Sequence, residues 1–199
     1  MSIDAYPFQV KTKKRYDLIV IGASLGGLNA LQSILGSLKE SFSLPVVTVI
    51  HRKDGYESDL VHLIQKHSKI RVVEAEDKQN IEAATVYIAP AGYHLLVNGD
   101  HLLLSVDEQV HYARPSIDVL FDTAAFSKKE KLAGIILTGS GKDGIWGLKQ
   151  VQIHGGYTIV QDPEEAECGM LSKGAMDELK PDQVLSIESI ALFLNSLMG

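Results

Sequence analysis

The sequence predicts an α/β fold: a doubly wound, mostly parallel sheet with helices on both faces and an antiparallel hairpin. Three observations carry that prediction. From Tyr16 onward, short β-branched runs alternate with segments of helical spacing, the pattern of a parallel sheet covered on both sides. Apolar residues make up 45% of the 199, enough to bury the core such a sheet needs. One pair of strand-like runs breaks the alternation, being separated only by Asn98-Gly99-Asp100, and Asn-Gly supplies the positive φ angles of a tight hairpin turn.

Taken in order, residues 1–15 carry Lys11, Lys13, Lys14 and Arg15 and read as a solvated leader or linker stub; 16–199 read as one domain. Asp17-Leu-Ile-Val-Ile-Gly22 is a buried strand, and a helix over 27–38 follows its glycine-rich loop. A second strand over 45–50 and a helix over 57–67 come next, then strands over 70–73 and 85–89. The hairpin pairs 94–97 with 101–106. Pro115 suits a first helical turn, where a missing N–H costs nothing, so a helix is expected over 116–127. Strand 132–137, helix 144–154, strand 157–161, short helix 172–178 and strand 183–186 complete the alternation, and 189–197 closes the chain as an amphipathic helix. Crossovers in such a fold are right-handed, and ligands sit at the carboxyl ends of the strands.

Composition narrows the function classes. A net charge of −6 with no long basic stripe argues against nucleic-acid binding. The longest apolar runs fall far short of a bilayer span, and the polar, basic N-terminus is no secretory signal. One cysteine, Cys168, rules out an internal disulfide framework and fits a reducing, cytoplasmic setting. His62 and His67 are five apart and do not share a helix face, so no metal site is expected, and no cofactor is called for.

Chemistry is therefore sought in the loops after the strands. Gly22-Ala-Ser24-Leu-Gly26-Gly27 follows the first strand and has three readings. Ser24 could cap the following helix. The loop could cradle a dinucleotide, but the fingerprint requires glycine where Ser24 stands, and the second strand ends in His51 rather than an acidic residue. Or Gly22-Ala-Ser24-Leu-Gly26 is a nucleophile elbow, G-x-S-x-G in its strand–turn–helix setting. The third reading needs a base and an orienting acid. His51, after the second strand, can take the serine proton when neutral. Asp143, in Thr138-Gly-Ser-Gly-Lys-Asp-Gly144 after the 132–137 strand, can accept the other imidazole N–H. Read blandly, His51 is a surface histidine and Asp143 caps the helix that starts near Gly144. The order Ser24, His51, Asp143 matches neither the α/β-hydrolases nor the other serine-protease orders, which a triad defined by geometry permits. Ile145 and Trp146, just past Asp143, are expected in the core or along the cleft.

These residues resemble the catalytic domain of the chemotaxis receptor methylesterases, the CheB family. The resemblance runs through Ile21-Gly-Ala-Ser-Leu-Gly-Gly27, His51, Val86-Tyr-Ile-Ala-Pro90 with His94, Arg114-Pro-Ser-Ile-Asp-Val-Leu-Phe121, Ile136-Leu-Thr-Gly-Ser-Gly-Lys-Asp-Gly144, and 156–162 with Gly169-Met170. It implies Ser24 as nucleophile, His51 as base and Asp143 as acid. The implied activity is hydrolysis of glutamate γ-methyl esters on the signalling helices of a chemoreceptor, with possible deamidation of glutamine. Leu25 stands where the family usually has Thr or Ser. Ser140 replaces a methionine whose backbone N–H is implicated in the oxyanion hole, so the amides of Leu25 and Ser140 are the expected oxyanion donors. Cys168-Gly-Met-Leu171 lacks the family's aromatic and proline. Many members also carry an N-terminal receiver domain, which the leading residues are too short to form. The expectation is a catalytic domain acting alone, controlled if at all by a separate receiver protein. Arg52, Lys53 and Lys142 flank the base and acid, either as solvated loop charge or as a basic rim steering an acidic receptor helix. Two rival functions stay open: an esterase with a non-chemotaxis substrate, and a catalytically silent interaction domain.

Overall fold

A computed structural model of the chain describes residues 15–51 and 60–198. Its elements in order are β1 (Leu18–Ala23), α1 (Gly27–Gly36), β2 (Val46–Ile50), α2 (Leu60–Gln65), β3 (Arg71–Glu74), β4 (Gln79–Asn80), β5 (Thr85–Ile88), β6 (His94–Asn98), β7 (His101–Ser105), α3 (Ile117–Lys128), β8 (Leu132–Ile136), α4 (Ile145–Ile153), β9 (Tyr157–Gln161), α5 (Met170–Glu178), β10 (Gln183–Leu185) and α6 (Ile187–Ser196). Seven strands form one sheet in the order β10-β9-β8-β1-β2-β5-β3, parallel at every pairing.

The strand sequences explain this layering. All six residues of β1 are buried, and so are all five of β2 and of β8, as continuous apolar runs covered on both faces must be. Successive side chains point to opposite faces, so each strand feeds two cores. Ile19 and Ile21 pack with Leu31 and Leu35 of α1 and Phe193 and Leu194 of α6. Leu18 and Val20 pack with Leu120 and Phe121 of α3 and Leu148 and Val151 of α4. Each such side chain contributes about 1.5–3 kcal/mol on burial, which makes the three central strands the rigid part of the molecule.

The hairpin β6–β7 does not join that sheet. With β4, which periodicity did not predict, it forms a separate three-stranded antiparallel sheet, and Leu95, Val97 and Leu102 turn into the α3–α4 core. The helix expected over 57–67 is described only from Leu60. Pro115 lies outside the helical turn expected of it: Ser116 is the N-cap of α3, its hydroxyl accepting the Val119 amide, and the Arg114–Pro115 peptide just before it is cis. Among the described residues no helix is long and apolar enough to cross a membrane.

Candidate active site

The chain runs outward from β1 to β2 on one side, and later from β8 to β9 and β10 on the other. The strand order therefore reverses at β1, the place where an open parallel sheet leaves a crevice at its carboxyl edge. Ser24, His51 and the Thr138–Asp143 loop all emerge there, from the three adjacent strands β1, β2 and β8. Backbone pairing continues past the strands and ties the loops together. His51 N–H donates to Ala23 O at 2.9 Å, and Ser24 N–H donates to Thr138 O at 3.0 Å.

Ser24 is half-buried and does not cap α1. That position belongs to Gly26, whose φ of 81° lets the chain turn sharply from strand into helix. The neighbouring loop comes very close: a Cβ on Gly139 would stand 2.9 Å from Ser24 Cβ and 2.8 Å from Leu171 Cδ2, so only glycine fits. Thr138 fastens this arrangement. Its hydroxyl donates to Leu25 O at 2.8 Å and accepts the Cys168 amide at 2.9 Å, clipping the serine loop to the segment before α5. Cys168 thus serves as a loop residue held through its backbone.

His51 Nε2 lies 2.7 Å from Asp143 Oδ2, with 22% of the histidine side chain exposed and 4% of the aspartate's. The separation is that of a strong pair, but the buried ring nitrogen is not aligned for a linear hydrogen bond. This contact engages Nε2 with the aspartate and leaves Nδ1 as the other ring nitrogen, the reverse of the arrangement in which aspartate holds Nδ1.

Asp143 does not cap the helix that follows it, the bland expectation. It caps α3 instead. Oδ1 accepts the Ser116 hydroxyl at 2.6 Å and the Asp118 amide at 3.1 Å, and Oδ2 accepts the Ile117 amide at 2.7 Å. Burial is the largest influence on this carboxyl and pushes it up. The close approach of His51, with hydrogen bonds from Ser116 and Ile117, outweighs it and holds the group below the usual carboxylate range. The residue is thus kept as an anion at the positive end of a helix. Behind it, Ser116 N–H donates to His94 Nδ1 at 3.2 Å, which leaves His94 Nε2 to donate to Glu108 O at 2.9 Å. Asp118, also buried, behaves oppositely: burial pushes its carboxyl up to about 6, with the Asp143 charge adding, against hydrogen bonds from Gly147 and Gly144 and the pull of His111.

The expected oxyanion donors sit at this edge. Gly139 N–H is already spent on Cys168 O at 2.9 Å, whereas among the described residues the Leu25 and Ser140 amides have no protein acceptor. Ser140 and Lys142 are exposed; Arg52 and Lys53 lie outside the described residues. The expectation for the residues after Asp143 splits: Ile145 is buried, while Trp146 is 50% exposed, joining Leu25 (57%) and Met170 (64%) on the segments that carry the site.

The family profile of the CheB methylesterases matches residues 19–194. The chain belongs to the CheB methylesterase family. A CheB-family relative from Leptospira interrogans, named as a candidate protein-glutamate methylesterase/protein-glutamine glutaminase, is 42% identical over 177 residues, covering 88% of this chain and 92% of its own. Protein-glutamate methylesterase/protein-glutamine glutaminase 1 of Carboxydothermus hydrogenoformans is 37% identical over 185 residues, which are 90% of this chain but 54% of that protein. The crystal structure of the Thermotoga maritima CheB methylesterase catalytic domain matches with a TM-score of 0.87 at 33% identity, covering 92% of this chain and 98% of that one. The CheB fold expected from the sequence is therefore the fold observed. Within it, sequence reading passed over Thr138, Ser116 and Asp118. The last two stand inside the Arg114–Phe121 motif, and a serine directly after Pro115 with an aspartate two residues further on is the signal that could have marked them.

Proposed function

We propose that this chain hydrolyses glutamate γ-methyl esters on the helical signalling domain of a cytoplasmic chemoreceptor region, with Ser24 as nucleophile, His51 as general base and Asp143 as the orienting acid. Residues 16–199 act as the catalytic domain. The observation that carries the reading is the 2.7 Å approach of His51 to a buried, anionic Asp143 at the strand end next to Ser24. Pairs of this kind are often imperfectly aligned before substrate binds and tighten in the complex.

In the proposed reaction Ser24 Oγ attacks the ester carbonyl carbon while His51 Nδ1 takes the hydroxyl proton. The amides of Leu25 and Ser140 hold the oxyanion that forms. Collapse of the tetrahedral species expels methanol, protonated by His51, and leaves an acyl ester on Ser24. Water, deprotonated by His51, then attacks that ester, releasing glutamate and restoring the serine. With a glutamine side chain the same steps release ammonia, the second activity in the relatives' names. Asp143, stabilised at the α3 N-terminus, offsets the imidazolium charge in both halves.

The test uses a serine-directed fluorophosphonate and a methylated chemoreceptor fragment. The wild-type chain should be labelled and should release methanol. Ser24→Ala, folded by circular dichroism, should do neither, with turnover down by roughly 10⁴-fold or more. Turnover by the folded Ser24→Ala chain would refute the mechanism. Labelling without methanol release would refute the substrate.

A further inference from the structure

Helix α4 starts on a residue with no side chain. Its N-cap is Gly144, at φ 107°, which has no side chain to cap with; Lys142 O accepts the Ile145 amide at 3.1 Å, and the oxygen for the Gly144 and Gly147 amides comes from another element. That element is α3. Asp118 Oδ1 accepts the Gly144 amide at 2.8 Å and the Gly147 amide at 2.7 Å, the N-cap and N3 positions of α4. In return Asp143, directly before Gly144, accepts the Ile117 and Asp118 amides that open α3. Each helix start is capped by a carboxylate belonging to the other. The exchange needs very close approach: a Cβ on Gly147 would stand 2.7 Å from Phe121 Cβ and 2.9 Å from Asp118 Cα.

This crossing bears on the reaction because of what surrounds Asp143. The three residues before it, Ser140, Gly141 and Lys142, are exposed, so the loop from β8 offers little packing to hold its backbone. The anchor lies on the other side, where Gly144 is tied to Asp118. The second oxygen of Asp118 is engaged in turn: His111 Nε2 stands 3.4 Å from Oδ2. His111 is carried on the two-residue His111-Tyr112 turn closed by the Val110–Ala113 bridge, with both residues at positive φ.

We infer that Asp118 is a positioning residue for hydrolysis: through the Gly144 and Gly147 amides it fixes the backbone of Asp143, and with it the line from Asp143 Oδ2 to His51. Asp118 does not touch substrate. The inference rests on the triad reading given under Proposed function, and it assigns Asp118 a role beyond helix capping.

The experiment compares Asp118→Ala, Asp118→Asn and Asp118→Glu in the 199-residue chain, at a temperature where circular dichroism shows each to be folded. Asn retains an acceptor oxygen and should keep kcat within a few-fold of wild type. Ala loses the acceptor, and Glu keeps it but displaces it by one methylene. Both should lower kcat by roughly 10- to 100-fold with little change in KM, as expected for a small misplacement of a catalytic group. Exchange of the Gly144 and Gly147 amides and the NMR signal of the His51 ring are followed in the same proteins. Faster exchange and a displaced ring signal should accompany the loss in kcat. A folded Ala or Glu variant with wild-type kcat would overturn the inference, as would an Asn variant impaired like Ala while its glycine amides stay protected. If Ala does not fold, Glu carries the comparison. If the wild-type chain shows no esterase activity, the functional reading fails; the amide and ring signals still decide whether Asp118 sets the geometry of Asp143.

Discussion

Replacing Asp118 by Asn should stabilise this protein near neutral pH and do so less as the pH falls. In the folded chain burial pushes the Asp118 carboxyl up to about 6, from an ordinary value of 3.8. Folding therefore favours the protonated form. Between about pH 4 and 6 the folded protein keeps a proton that the unfolded chain has already released, so stability falls as pH rises through that window and levels off above it. A displacement of about two pK units corresponds to about 3 kcal/mol. Asn cannot ionise, and its Oδ1 can still accept the Gly144 and Gly147 amides, so it escapes this penalty while keeping the cap. The assay is urea denaturation of both proteins at half-unit steps from pH 4 to 8. Subtracting the two stability curves cancels the titrating groups that do not interact with Asp118, leaving Asp118 and its coupling to Asp143 and His111. The difference should move in favour of the Asp118→Asn variant by about 2–2.5 kcal/mol between pH 4 and pH 7.5, most of the full displacement. A flat difference curve, or one that moves the other way, would refute the reasoning.

Two further outcomes follow from the site. His51→Gln should abolish turnover while the chain stays folded by circular dichroism; a folded variant that keeps wild-type turnover would reassign the base. Gly139→Ala should cost about 1–3 kcal/mol in a urea melt and depress kcat, because the new methyl meets Ser24 Cβ at 2.9 Å and Leu171 Cδ2 at 2.8 Å; wild-type stability and rate would show that the loop yields freely.

Much of this architecture was legible because it rests on local signals. Runs such as Leu18–Ala23 and Val46–Ile50 announce buried parallel strands through continuous apolar composition, and strand alternation then sends the following loops to one edge. That reasoning locates Ser24, His51 and Asp143 together without coordinates. What it could not see depends on pairings between distant segments. A capping residue is normally assigned to the helix beside it, so the bland reading of Asp143 puts it on α4; only the crossing of α3 and α4 reveals that it caps α3. The two-residue β4 has no periodicity to detect, and its existence depends on β7 lying alongside. Trp146 reads as core by composition, but α4 buries Ile145, Leu148 and Val151 and leaves Trp146 half-exposed.

The parallel pairing of β1 with β2 on one side and β8 on the other also bears on how the molecule comes into being. β2 follows β1 after one helix, but Leu18 pairs with Leu132, so the second border of the crevice is delivered more than a hundred residues later. Closing a connection that long is entropically costly and slow compared with local pairing. In a chain emerging from the ribosome, Ser24 and His51 are made long before Gly139 and Asp143, which complete the crevice. Hydrolytic competence thus marks the moment at which the two halves of the sheet join. Two fragments divided in the exposed stretch after β7 would each lack part of the crevice, and recovered turnover on mixing them would time that joining directly.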